Sequence, residues 1–313
     1  MICLTLEGIE VSLVSVNQMQ AWAHPRRIML ATDLTDLEYV LNTTIQQAKT
    51  YQAKLLIAHV LQSHEPALIE SELVADSKPV YAKAQIALDQ AVALALAAGV
   101  PCSSRLLHGE VVYELEKAAV GWRADRVVAG SHGKKKFLLH ILGSVAAVLF
   151  HRVEVPIFAI GPHAVTMKER VQGPMRILLG VAFDQSVERL VEFALSVAEQ
   201  LSARISLVNV VPETAKAHPS TKQVIHCSET MLNGLLNGRS LRKSVADCTV
   251  VQGHPVEAIL EYARQLPADL IILGASPHSA FNERFVPRTA YRVLCDSPCP
   301  VLVLKHESHL TAL

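Results

Sequence analysis

The chain of 313 residues carries 29 Lys plus Arg against 29 Asp plus Glu, so it has no surplus positive charge to neutralise a duplex, which excludes nucleic-acid binding by bulk charge. Hydrophobic residues make up 50% and aromatics only 5%, which excludes disorder of the whole chain. It favours a Val, Ile, Leu and Ala core of parallel strands under helices over a β-sandwich.

Residues 1–25 open the chain with the alternation Leu4, Leu6, Ile9, Val11, Leu13, which reads equally as an added edge strand or as disorder around Gly8. The first basic residue is Arg26, and Glu7 and Glu10 interrupt the apolar stretch, so no signal peptide is expected. The longest apolar run, Ala91 to Val100, is far below the roughly 20 residues that span a bilayer. The expected location is cytoplasmic, with no membrane contact.

From Arg27 onward short Val/Ile/Leu runs alternate with helical stretches, the signature of βαβ units. Strands are predicted near 27–32, 54–60, 102–107, 125–130 and 156–160, with helices over Glu38–Tyr51, Val80–Ala98, Gly109–Val120 and Gly143–Arg152. The pattern then repeats. Arg27-Ile-Met-Leu-Ala matches Arg176-Ile-Leu-Leu-Gly, and Gly109, Ala124-Asp125, Gly130 and Pro156 match Gly253, Ala268-Asp269, Gly274 and Pro300. Strands of the second copy fall near 176–181, 204–210, 246–251, 269–273 and 300–304. One period of this length is a duplicated domain, not a solenoid. The expected division is an extension over 1–25, a first domain over 26–160, a linker over 161–175, a second domain over 176–305 and a tail over 306–313. Right-handed crossovers make each copy a doubly wound α/β domain with helices on both faces of a five-stranded parallel sheet.

In such a sheet ligands bind beyond the carboxyl ends of the strands. The first strand ends in Ala31-Thr32-Asp33, and the fourth runs into Gly130-Ser-His-Gly133, nine residues, then Gly143-Ser144 at a helix start. Glycines admit a ligand close to the backbone, and a helix start offers bare N–H groups to phosphate. Each residue also has a plain structural reading: Gly130 ends a strand, Ser144 caps a helix, Asp33 caps the helix that follows it. His132, Lys134-Lys-Lys136 and the strand-end His59 read most simply as loop or surface residues, and the six cysteines as reduced thiols.

These motifs, with Ile28-Met-Leu-Ala-Thr-Asp33, Ala124-Asp125 and Val155-Pro156, resemble the universal stress protein family over two tandem copies from Arg27 to Lys305. The resemblance implies strand order 3-2-1-4-5 and an ATP site in the first copy. Adenine would lie near Asp33 and the backbone of Val60, the ribose near Gly130, and the phosphates on Gly133, Gly143, Ser144 and the N–H of Val145. Mg²⁺ beside the phosphates is allowed for, with no ligand identified. In the second copy the matching positions are Gly274, Pro277, Pro287 and Arg288, and proline offers no N–H, so a silent site is expected there. Asp33 aligns with Ala182, with Asp184 as an alternative across a one-residue gap.

The sequence contains no phosphate loop of the Gly-x-x-x-x-Gly-Lys type, no nucleophile elbow and no zinc helix. The expectation is a nucleotide-dependent sensor or regulator of the stress response. A slow ATPase or self-phosphorylating protein, and a nucleotide-independent interaction module, stay open as alternatives, as do an unidentified protein partner and a homo-oligomer. The apolar fifth strands, Val155–Ile160 and Cys299–Leu304, would be exposed edges, so an antiparallel pairing of the two within one chain is predicted, giving an internal pseudo-dimer.

Overall fold

The computed structural model describes residues 18–62, 73–131, 149, 153–161, 164, 173–184, 186–213, 220–237, 244–275 and 288–305. In the first copy the strands are β1 (Arg27–Ala31), β2 (Lys54–Leu61), β3 (Cys102–His108), β4 (Arg126–Gly130) and β5 (Ile157–Ile160). Between them run α1 (Leu37–Thr50), α2 (Leu73–Ala97) and α3 (Val111–Trp122). The second copy has β6 (Arg176–Val181), β7 (Arg204–Val211), β8 (Val245–Gln252), β9 (Leu270–Ala275) and β10 (Val301–Lys305). Its helices are α4 (Val187–Gln200), α5 (Ser220–Leu235), α6 (Pro255–Gln265) and α7 (Arg288–Asp296).

All ten strands form one sheet in the order β3-β2-β1-β4-β5-β10-β9-β6-β7-β8. Each half is the expected 3-2-1-4-5 arrangement, parallel throughout. The halves meet where β5 and β10 pair antiparallel, Phe158 opposite Leu302. Neither fifth strand is therefore a free edge. Alternate residues of each strand feed opposite faces: Ile28, Leu30, Ile177 and Leu179 belong to the layer that holds α1, α2, α4 and α5, and Met29, Ala31 and Leu178 to the layer that holds α3, α6 and α7. Both layers contain residues of both copies, so the two cores are continuous across the junction.

Several local devices recur in the two copies. The Asp125 carboxylate accepts the N–H groups of Arg26 (2.8 Å) and Arg27 (2.9 Å), and Arg27 Nη1 donates to the Trp122 carbonyl. Asp269 accepts the N–H of Arg176 (2.8 Å), whose Nη1 donates to the Leu266 carbonyl. The Ala-Asp pair thus clamps the start of the fourth strand to the start of the first. Gly109 and Gly253, at φ +133° and +153°, make the turns after β3 and β8 that a side chain would strain.

Two expectations change. The Leu4–Leu13 alternation lies outside the described residues; of the extension, residues 18–23 are helical where no helix was expected, and Trp22 and Ala23 are buried in the core. Helix α2 begins at Leu73, upstream of the expected Val80, with Pro79 inside it. The helix expected over Gly143–Arg152 lies outside the described residues except Leu149, which is helical and buried.

The copies differ most at their junction. Arg126 is 1% exposed, yet it meets neutral groups: Nη1 donates to Gln47 Oε1 (3.0 Å), Nη2 to the Trp22 carbonyl (3.0 Å), and the guanidinium lies 4.9 Å from the Tyr51 ring centre. Thr43 Oγ1, Gln47 Nε2 and Arg126 Nε have no hydrogen-bond partner among the described residues. The second copy places Phe193, Val197, Leu201 and Leu270 at the positions of Thr43, Gln47, Tyr51 and Arg126. His24, at the end of the extension, hydrogen-bonds Ser196 on α4 at 3.1 Å and so ties the first copy to the second.

Candidate functional site

The first-strand end is shaped by where β1 stops. Its last pair with β2 is Ala31–Ala58, whereas β2 continues against β3 to Leu61–His108. Because alternate residues turn their backbone groups to opposite neighbours, Val60 faces the side that β1 has vacated. His59 Nδ1 hydrogen-bonds the Thr32 carbonyl (2.8 Å), and in the second copy Asn209 Nδ2 donates to the Val181 carbonyl (2.8 Å). The histidine is thus a strand-end clasp that an amide replaces.

Asp33 is half-buried and builds the turn into α1. Its Oδ1 accepts the Thr35 N–H (2.8 Å) and the Thr35 hydroxyl. Its Oδ2 makes no hydrogen bond among the described residues and remains available to a ligand. Asp184 makes the same turn with the N–H (2.9 Å) and hydroxyl of Ser186. Asp184 makes its turn one residue nearer the helix than Asp33 does, because its partner Ser186 is itself the N-cap whereas Thr35 precedes the N-cap Asp36.

Asp36 was not singled out by the sequence, because an acid just before a helix reads as an N-cap. It occupies the N-cap of α1 but makes no side-chain cap. Instead its carboxylate turns into the sheet end, 5% exposed, and accepts the Thr32 hydroxyl and the Gly130 N–H. Burial pushes its carboxyl up to about 6; the Thr32 bond opposes the rise, neighbouring Asp33 adds to it, and the Gly130 bond is a smaller opposing influence. A Cβ on Gly130 would collide with the Asp36 carboxylate and stand 2.8 Å from Tyr39 Oη. Asp36 and Tyr39 therefore account for glycine at this position. In the second copy Ser186 holds the N-cap and bonds Asp184 instead.

The structure thus brings Asp33, Val60 and Gly130 to one end of the sheet, together with Thr32, Asp36 and His59. Gly133, Gly143, Ser144 and Val145 lie outside the described residues, as do Pro277 and Pro287. Arg288 opens α7. Among the described residues no group of three or more His, Cys, Asp or Glu side chains could hold a metal ion. Burial pushes the thiols of Cys102 and Cys295 up to about 11 and about 12, Asp296 adding to the second, so neither is a reactive thiolate.

The universal stress protein family model matches residues 24–161 and again residues 174–305. The chain belongs to the universal stress protein family. A universal stress protein of Thermus aquaticus, named for its place in the QAH/OAS sulfhydrylase 3' region, is 37% identical over 59 residues, 19% of this chain and 43% of that protein. The stress response protein NhaX of Bacillus subtilis is 26% identical over 94 residues, 30% of this chain and 52% of that protein. The chain spans about half the length of these curated relatives. A solved universal stress protein from Archaeoglobus fulgidus superposes with a TM-score of 0.67 at 21% identity, covering 90% of this chain and 99% of that one. That likeness establishes the doubly wound fold. Among the described residues no helix of this universal stress protein is long and apolar enough to cross a membrane.

Proposed function

We propose that the first copy binds one ATP per chain and that the protein reports nucleotide state in a stress response, with the second copy a partner that has lost its phosphate site. The observation that carries this reading is the contrast inside the chain: Gly130, Gly133, Gly143 and Ser144 in one copy against Gly274, Pro277, Pro287 and Arg288 in the other. Fold preservation alone does not demand it, since both copies fold alike. Two N–H donors aimed at phosphate have become prolines in the second copy, and proline is tolerated at a helix start.

In this reading Asp33 Oδ2 and the Val60 backbone receive the adenine, the ribose lies beside Gly130, and Gly133, Gly143, Ser144 and the Val145 N–H hold the phosphates. The free Oδ2 of Asp33 and the vacated edge at Val60 support the first two roles. Mg²⁺, where it accompanies the phosphates, would supply charge neutralisation; no residue is assigned to hold it. The sequence carries no kinase-type motif for a base and metal cage, and we expect binding to far outlast turnover.

The test is identification by mass spectrometry of ligand released from the purified protein, with calorimetric titration of ATP. One adenine nucleotide per chain is expected. A stoichiometry near two, or no adenine nucleotide bound at all, overturns the proposal.

A further inference from the structure

Helix α2 carries two apolar seams where a surface helix needs one. Its inward seam, Ala84, Leu88, Ala91 and Ala95, is buried. Its outward seam, Pro79, Lys83, Ile86, Gln90, Ala93 and Ala97, is exposed along its whole length, with Leu94 beside it. Both step alternately by four and three residues, the period that keeps positions on one side of a helix. Ile86 and Leu94 are 56% and 59% exposed. Between Pro79 and Ala97 the only charged residues are Lys83 and Asp89, and Asp89 lies to one side of the seam, where it accepts the Gln85 amide N–H at 2.8 Å. A helix that is apolar on both sides belongs in an interior, yet this face is open to solvent.

The second copy shows that the fold does not require such a face. Helix α5 occupies the matching place with Ser228 and Leu232 buried, and its outward positions Gln223, His226, Thr230 and Asn233 are polar and exposed. The apolar face is therefore a property of the first copy alone. It lies over β2 and β3, at the end of the sheet remote from the β5–β10 junction.

The distribution of side chains along the seam indicates its occupant. Lys83 and Ile86 lie toward the N-terminal end, Ala93 and Ala97 toward the C-terminal end. In a parallel contact with a second chain, Lys83 would meet its own charge and alanine would face alanine, which repels at one end and leaves a gap at the other. In an antiparallel contact about a two-fold axis at Gln90, large side chains meet small ones. Ile86 lies over the partner's Ala93 and Leu94 over the partner's Ala87. Lys83 lies over the partner's Ala97, at a helix C-terminus whose partial negative charge suits a cation. Gln90 meets the partner's Gln90, and a primary amide both donates and accepts, so the pair is self-complementary as a two-fold contact requires.

We propose that the outward face of α2 is the surface through which two chains associate, antiparallel about Gln90. The contact leaves the internal β5–β10 pairing in place and does not depend on the nucleotide reading. A seam about 27 Å long falls short by itself of the roughly 800 Å² per partner of a standard interface, so the association is reversible.

Sedimentation velocity of the full-length chain, loaded from about 1 to about 300 μM, tests this. The wild type should pass from monomer to dimer across that range. Leu94→Glu and Ile86→Lys should each raise the midpoint at least about tenfold, because each places a charge in the apolar contact. Thr230→Glu, a like change on α5, should leave the midpoint unmoved. A wild type that stays monomeric throughout overturns the proposal, and so does a dimer that Leu94→Glu leaves intact. Gln90→Lys, at a position already polar and exposed, replaces Leu94→Glu if that variant does not fold. Disulfide formation reads the orientation. Above the background of the native thiols, Ile86→Cys chains mixed with Ala93→Cys chains should link to each other at least about tenfold faster than either links to itself. Faster linking of each to itself overturns the antiparallel contact.

Discussion

The two copies share a fold but not its polar interior, and the difference separates what the fold needs from what one copy alone uses. The Asp125 and Asp269 clamps and the His59 and Asn209 clasps occur in equivalent places of both copies, and the Asp33 turn recurs at Asp184 one residue nearer its helix. Each satisfies backbone groups at a strand end, which every doubly wound domain must do. Asp36, the intact glycine motif and the buried Arg126 cluster occur once. Where the first copy spends buried space on these groups, the second fills it with Phe193, Val197 and Leu270 or extends a strand.

The sharpest way to break this comparison is to make the first copy resemble the second. Gly143→Pro copies Pro287 and should lower ATP affinity more than about hundredfold, since the proposed phosphate site uses the Gly143 N–H. Thermal unfolding should remain native, because proline suits a helix start. Calorimetry with a melting curve checks both, and retained affinity would remove the phosphate role from this position.

At the junction, Arg126→Leu copies Leu270 and should destabilise by about 1–3 kcal/mol, because Gln47 Oε1 and the Trp22 carbonyl lose their donor. Adding Gln47→Val, which copies Val197, removes one of those orphans. The double variant should therefore be more stable than the sum of the single changes by about 0.5–3 kcal/mol in urea denaturation. Strict additivity would mean that the arginine and glutamine do not act as a unit.

Asp125→Ala and Asp269→Ala test the shared devices. Both acids are half-buried clamps on backbone N–H groups, so each loss should cost about 1 kcal/mol and the two should agree within about 0.5 kcal/mol. A cost confined to one copy would show that the clamp serves something other than the fold.

An effect confined to alkaline pH is expected at Lys305, whose Nζ donates to the Val153 carbonyl (2.6 Å) across the β5–β10 junction. Its counterpart Gly161 instead lies against Ser297, with a Cβ there 3.8 Å from the Ser297 carbonyl oxygen. Burial lowers the ammonium from 10.5 to about 8, against the opposing pull of Glu154 and Glu116. The native chain therefore binds fewer protons than the unfolded one between these values, and stability should rise as pH increases from 8 to 10.5. Lys305→Met should flatten that rise in denaturation curves taken across the window.

The sequence by itself determined the duplication, the strands and their parallel sense, because runs such as Ile28-Met-Leu-Ala and Leu270-Ile-Ile-Leu bury both faces and need helices on each, while the order 3-2-1-4-5 came with the family resemblance. It also marked the glycine motif and its loss, which depend on residue type at fixed spacing. The antiparallel junction was legible for the same reason: two apolar edge strands each need a partner. Tertiary structure alone decided the rest. Trp22 and Ala23 gave no strand or helix signal strong enough to place them, since the partner of the Trp22 carbonyl, Arg126, is about a hundred residues away along the chain. Asp36 looked like a cap because local sequence records which groups are near along the chain. Gly130, against which its carboxylate lies, is brought to it only by the pairing of β4 with β1.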